Sequence, residues 1–159
     1  MSERLQLFEN SREANIESTI AMVEDVLIEL GHFVNDCREQ PPSEGIRSWR
    51  VVKGSAMVRI SLVARQDDVR LRVVSVVMTV NPMVDQSKLF RRLLTINANE
   101  IYGAAFALRG SRVLLVSERS TMDLDRGEVL DLITRVKHYA DHYDDALVAE
   151  FGGVRGTAT

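Results

Sequence analysis

The segment His138-Tyr139-Ala140-Asp141-His142 comes nearest to a chemical signature in this chain. Two histidines four residues apart project from one side of a helix and could share a metal ion. A zinc-protease helix needs a glutamate directly after the first histidine, and Tyr139 stands there, so the general base is missing. Both histidines fall on the polar side of the expected helix with Asp131, Arg135 and Asp145. A solvated face is the simpler reading, and a weak incidental metal site is the alternative. Cys37 lies between Asp36 and Arg38, with His32 five residues away and no third group to complete a triad, so it reads as an inert thiol. The glycines form neither a Walker loop nor a dinucleotide fingerprint, and Gly152-Gly153 suits a helix end. Ser117 and Ser120 lack a nucleophile elbow. The expectation is a protein with no catalytic residue, no cofactor and no metal, and therefore not an enzyme.

The elements that carry these residues belong to an ordinary globular composition. The chain has 159 residues, 45% hydrophobic and 27% charged, which fits one domain with a real core and argues against bulk disorder. Its net charge of -3 argues against a constitutively basic nucleic-acid coat. One cysteine allows no internal disulfide, which suits a reducing compartment. Residues 1–10 alternate charged and apolar types and lack the apolar core of a signal peptide. The longest apolar-rich stretch, residues 73–80, is too short for a membrane-spanning helix. The expected location is cytoplasmic, with no membrane partner.

Periodicity orders the elements. Ile16, Ile20, Val23, Leu27 and Leu30 step by four and three, predicting a helix over residues 11–30 that ends at Gly31. Residues 35–45, with Pro41-Pro42, form a connector. Trp49 and Val51 begin a first strand, and Gly54 makes a turn. Ala56, Val58, Ile60, Leu62 and Ala64 then share one face of a second strand, with Met57, Arg59, Ser61, Val63 and Arg65 on the other. Gln66-Asp67-Asp68 turns into a third strand running to about Val80, and such short connections imply an antiparallel meander. From Val73 onward both faces of that strand become apolar. Either a bulge shifts the register, or the second half is covered on both sides; double cover is the preferred reading, with a partner surface as a candidate second cover.

After Asn81-Pro82, Asp85 caps a second helix reaching about Asn97. Its apolar residues Leu89, Phe90, Leu93, Leu94 and Ile96 span more than the ~100° stripe of a one-sided helix, so it should touch its own sheet and something else. Two further strands, residues 104–108 and 113–117, precede a long helix starting at Asp123 or Asp125, with Val129, Ile133, Val136, Ala140, Tyr143 and Leu147 on its buried side. Residues 154–159 read as a loose tail. The fold class is α+β: an antiparallel five-stranded twisted sheet flanked by three helices, in the order α-βββ-α-ββ-α, within a single domain covering residues 1–159.

Two stretches carry a family resemblance. The first is Leu89-Phe90-Arg91-Arg92-Leu93-Leu94-Thr95-Ile96-Asn97-Ala98-Asn99, followed by Tyr102-Gly103-Ala104-Ala105-Phe106-Ala107-Leu108. The second is Val136-Lys137-His138-Tyr139-Ala140-Asp141-His142-Tyr143-Asp144. Together they resemble the bacterial YbjN-like domain proteins over residues 45–150. The resemblance implies a fold like the class I type III secretion chaperones, a twisted antiparallel sheet flanked by helices and usually dimeric. Some members are described as regulators of sensory transduction. It implies a chaperone-like or adaptor-like protein binder, although fold likeness alone transfers no function.

Surface features suggest where partners would bind. Residues 45–75 hold seven basic residues against two acidic ones, whereas residues 122–159 hold eight acids against four bases. Outward arginines protect strands and aid solubility, but the same face could dock an acidic protein or nucleic acid. Trp49, Arg50, Met57, Arg59 and Val63 are the candidate partner-binding residues. Trp49 is the only stacking aromatic of this segment, which weakens a nucleic-acid-associated stress or repair role as the alternative. Leu89, Phe90, Leu93, Leu94, Val113 and Leu115 are the candidate homodimer surface.

Overall fold

The computed structural model describes residues 2–53 and 56–156, with the backbone alone for residues 2–5 and 53. The turn expected at Gly54 and residues 157–159 of the expected tail lie outside the described residues. The elements are α1 (Ser2–Glu29), α2 (Val34–Cys37), β1 (Arg47–Lys53), β2 (Ala56–Arg65), β3 (Asp68–Thr79), α3 (Gln86–Asn99), β4 (Ala105–Arg109), β5 (Arg112–Ser120), α4 (Arg126–Phe151) and β6 (Val154–Arg155). The sheet runs β1-β2-β3-β5-β4, antiparallel throughout, with β6 added to β3. The expected α+β class is what forms. A sixth strand of two residues and a fourth helix of one turn are added to it.

Local chemistry fixes the helix starts. The Asp85 carboxylate accepts from the Ser87 N–H at 2.9 Å, capping α3. Asp125 accepts from the Glu128 N–H while the Glu128 carboxylate accepts from the Asp125 N–H, a complete capping box at α4. In α1 the expected cap at Asn10-Ser11 is not used. Residues 2–10 contain neither proline nor glycine, so nothing stops the helix and it begins at Ser2. Residues 6–14 are exposed on every side.

Strand register places the core on one side of the sheet. Trp49 pairs Ile60, Ile60 pairs Val73, and Val73 pairs Ser117; the side chains of this row are all buried on the helix side. The α4 stripe Val129, Ile133, Val136, Ala140, Tyr143 and Leu147 covers it as the spacing predicts, and Phe106 meets Tyr143 edge-on with ring centroids 5.5 Å apart. Val23, Val26 and Leu27 of α1 and Leu89, Leu93 and Ile96 of α3 join the same cluster. Each such side chain contributes roughly 1.5–3 kcal/mol by leaving water.

A bulge accounts for part of the apolar second half of β3, while Val74 and Val76 still alternate to the opposite face. Pairing with β5 passes from Val76 opposite Leu114 to Met78 opposite Val113, so Val77 is the extra residue of a bulge. Val77 and Met78 consequently both enter the core. Among the described residues, no helix is long and apolar enough to cross a membrane.

Candidate protein-docking surfaces

Period two sends alternate side chains to the opposite face of the sheet. One row there reads Arg50, Arg59, Val74, Val116 and Ala105 across the five long strands; the next holds Val52 beside Met57 and Val76 beside Leu114. Met57, Val63, Val74 and Leu114 are buried, yet none belongs to the cluster that gathers the apolar stripes of α1, α3 and α4. Among the described residues, the helices therefore cover one face and leave this one without a helix.

Curvature and long polar side chains keep water from its floor. Thr79 lies about 23 Å of extended strand beyond Arg72, and Thr79 pairs Arg112, which pairs Arg109. The Glu44 carboxylate nevertheless sits 3.7 Å from Arg72 Nε and 4.0 Å from Arg109 Nη2. A flat sheet would hold those arginines too far apart to share one carboxylate, so twist and the β3 bulge curl this face into a trough.

The rim is a charge network. Glu118 takes Arg72 at 2.7 Å, Arg70 at 2.9 Å and Arg65 at 3.7 Å, while Glu39 faces Arg59 at 3.4 Å. Burial alone would raise the Glu118 carboxyl, but the hydrogen bond from Arg72 and the charges of Arg72, Arg65 and Arg70 outweigh it and hold it below the usual range. At Glu39 burial likewise pushes the carboxyl up, and the hydrogen bonds from Ser43 and Ser48 together with the charge of Arg59 outweigh it, so this carboxyl too is lowered. The basic surplus read over residues 45–75 is thus largely met by Glu39, Glu44 and Glu118, which lie outside that stretch. The Nε atoms of Arg59 and Arg72 are buried without a hydrogen bond.

The candidate partner-binding residues divide accordingly. Trp49 is fully buried in the core, with its indole N–H 3.3 Å from Glu24, and is removed from the docking set. Its neighbour Arg50 points the other way and is exposed on the trough rim. Met57, Arg59 and Val63 lie on the trough side, Met57 and Val63 beneath the surface. Val52, 53% exposed, is a trough residue that sequence reasoning missed, although the alternation starting at Trp49 carries the signal.

The candidate dimer residues divide as well. Leu89, Leu93, Val113 and Leu115 are buried in the chain's own core cluster and offer no surface to a second copy. Leu94 is 68% exposed and Phe90 is half-buried. With Ser87, Arg91, Thr95 and Ala98 they line a groove of about 540 Å³ along the outer side of α3.

The other singled-out groups are chemically quiet. His138 and His142 are exposed and stack with centroids 6.2 Å apart; among the described residues no group of three or more metal-ligating side chains forms. Cys37 is buried, and burial together with Asp36 pushes its thiol up, the reverse of activation. The residues that carry the family resemblance hold the fold together. Asn97 bonds the Phe106 backbone, the Ser117 hydroxyl donates to the Gly103 carbonyl at 2.6 Å, and the Arg135 guanidinium lies 5.0 Å from the Tyr102 ring centre.

Known proteins include relatives of this chain. Residues 17–159 match the family described as TY-Chap1, T3SS (YopN, CesT) and YbjN peptide-binding chaperone 1. Among solved structures, the chain is similar to one in the crystal structure of the ExsC-ExsE complex, at 16% identity and a TM-score of 0.50, covering 64% of this chain and 76% of that one. It is also similar to one in the structure of the HopA1-SchA chaperone-effector complex, at 11% identity and a TM-score of 0.56, covering 84% of this chain and 97% of that one. At such identities the likeness is one of fold. No curated protein matches.

Proposed function

Because the chain belongs to the T3SS and YbjN family of peptide-binding chaperones, we propose that it acts without catalysis, as a homodimer that holds an extended segment of a client protein. The client lies in the trough and the two copies meet through the outer face of α3. The observation that carries this reading is the helix-free concave face, whose apolar floor stands apart from the core and whose rim is lined by arginines. An extended segment suits it, because alternate side chains could enter the floor while the others meet the rim. Arg50 is exposed and would favour a client acid at that edge. A nucleic-acid role is disfavoured because the rim arginines already face carboxylates.

The test is selection of a random displayed peptide library on the purified chain. Expected winners alternate apolar and polar residues, with an acid at the position that meets Arg50. Their affinity should fall at least about tenfold in Val52→Asp or Val116→Asp and persist in Leu94→Asp. No enrichment, or winners indifferent to the trough substitutions, would remove the trough as the client site.

A further inference from the structure

The two-residue strand β6 fills a stretch of sheet edge that β2 does not reach. β2 pairs β3 no further than Val58 opposite Ser75, which leaves the same side of residues 76–79 without that neighbour. After α4 the chain turns back and sets Arg155 opposite Met78 and Val154 opposite Thr79, and the Gly156 N–H donates to the Val77 carbonyl at 3.0 Å.

Three features select what fits there. A Cβ at Gly156 would collide with the Val76 carbonyl and crowd its side chain, and one at Gly153 would collide with the Thr79 carbonyl, so the backbones approach more closely than a side chain permits. Arg155 forms an ion pair with Asp145 and lies 4.0 Å from Asp144, both on α4. Asp144 is only 7% exposed, and leaving such a carboxylate without a cation would be costly. An extended segment on this edge therefore meets open backbone groups of β3, two positions of close backbone approach, and the α4 carboxylates of Asp144 and Asp145. The present occupant pairs with β3 at only two positions and is otherwise kept in place by the Gly156 bond and the Arg155 ion pairs, contacts that an incoming arginine and glycine could replace one for one. Val76 also belongs to the trough floor, so the site adjoins the trough.

We infer that residues 153–156 are an internal occupant of a second peptide slot, exchanged for a partner segment that carries an arginine followed by glycine in extended conformation. The inference rests on the peptide-binding reading above and adds a site to it. The buried acid keeps the slot closed by the chain's own arginine until a competing cation arrives, so the slot acts as a gate beside the trough.

The experiment uses a fluorescent peptide of residues 151–159 and reads anisotropy against three proteins checked for folding by circular dichroism: the full chain, the chain ended after Gly152, and the full chain with Gly156→Val. The shortened chain should bind saturably and the full chain at least about tenfold more weakly. Gly156→Val, which ejects the internal strand but keeps the slot, should gain binding even if shortening harms folding. Replacing the arginine of the peptide by alanine, or its glycine at position 156 by valine, should abolish the gain. Folded proteins lacking the internal strand that bind no better than the full chain would overturn the inference. Val52→Asp and Val116→Asp should leave this binding intact while weakening library-selected clients, so failure of the slot and failure of the trough give different results.

Discussion

The side-chain amide of Asn97 closes the outer edge of β4 by engaging both backbone groups of Phe106: it accepts from the N–H at 2.7 Å and donates to the carbonyl at 3.2 Å. One amide thereby does at this residue what a neighbouring strand would do, and ties α3 to the sheet. Edge strands with open backbone groups invite unwanted pairing.

Asn97→Ala removes both bonds and is expected to destabilise the protein by about 2 kcal/mol, read from urea unfolding. It should also raise the tendency to aggregate, read by light scattering on warming. Unchanged stability would show that water satisfies Phe106 equally well.

Leu93 and Leu94 are adjacent but answer to different environments. Leu93 is 4% exposed, so Leu93→Asp should cost more than about 3 kcal/mol and prevent folding. Leu94→Asp should leave stability within about 0.5 kcal/mol and convert a dimer of twice the chain mass to a monomer in light scattering across a concentration series. A wild-type monomer at all concentrations would reject the α3 interface, and a dimer that survives Leu94→Asp would move it elsewhere.

Glu118 makes stability depend on pH. Its carboxyl is held below the ordinary glutamate range, so its contribution is fully present above that range and is lost as pH falls from there through the lowered folded-state value. Glu118→Gln should therefore cost about 2 kcal/mol at pH 7. The gap between wild type and variant should shrink as pH drops below about 4.3. Urea unfolding at neutral and acid pH checks this, and a gap that widens in acid would contradict the sign.

Much of this architecture was legible in the sequence because its causes are local. The α4 stripe from Val129 to Leu147 follows from a four-three step, and the caps at Asp85 and Asp125 follow from side chains that reach their own helix. Alternation in β2 separated Ile60 from Arg59 correctly. The wide apolar arc of α3 was also legible, and its division was not: only packing sends Leu89 and Leu93 to the core and leaves Leu94 outside.

What the tertiary structure alone decided depends on which strands become neighbours. Alternation states that Trp49 and Arg50 oppose each other, but not which face the helices cover. Placing β3 between β2 and β5 brings Glu118 to Arg72, forty-six residues away, and the curl of the sheet lets Glu44 reach Arg72 and Arg109 together. The short β6 carries no periodic signal, since two residues are too few to show one, and it forms because β2 leaves an edge of β3 open. A sequence records the preference of each segment for buried or exposed surroundings; the partners of its charges and strand edges are set by contacts between segments far apart along the chain, and those exist only once the sheet has closed.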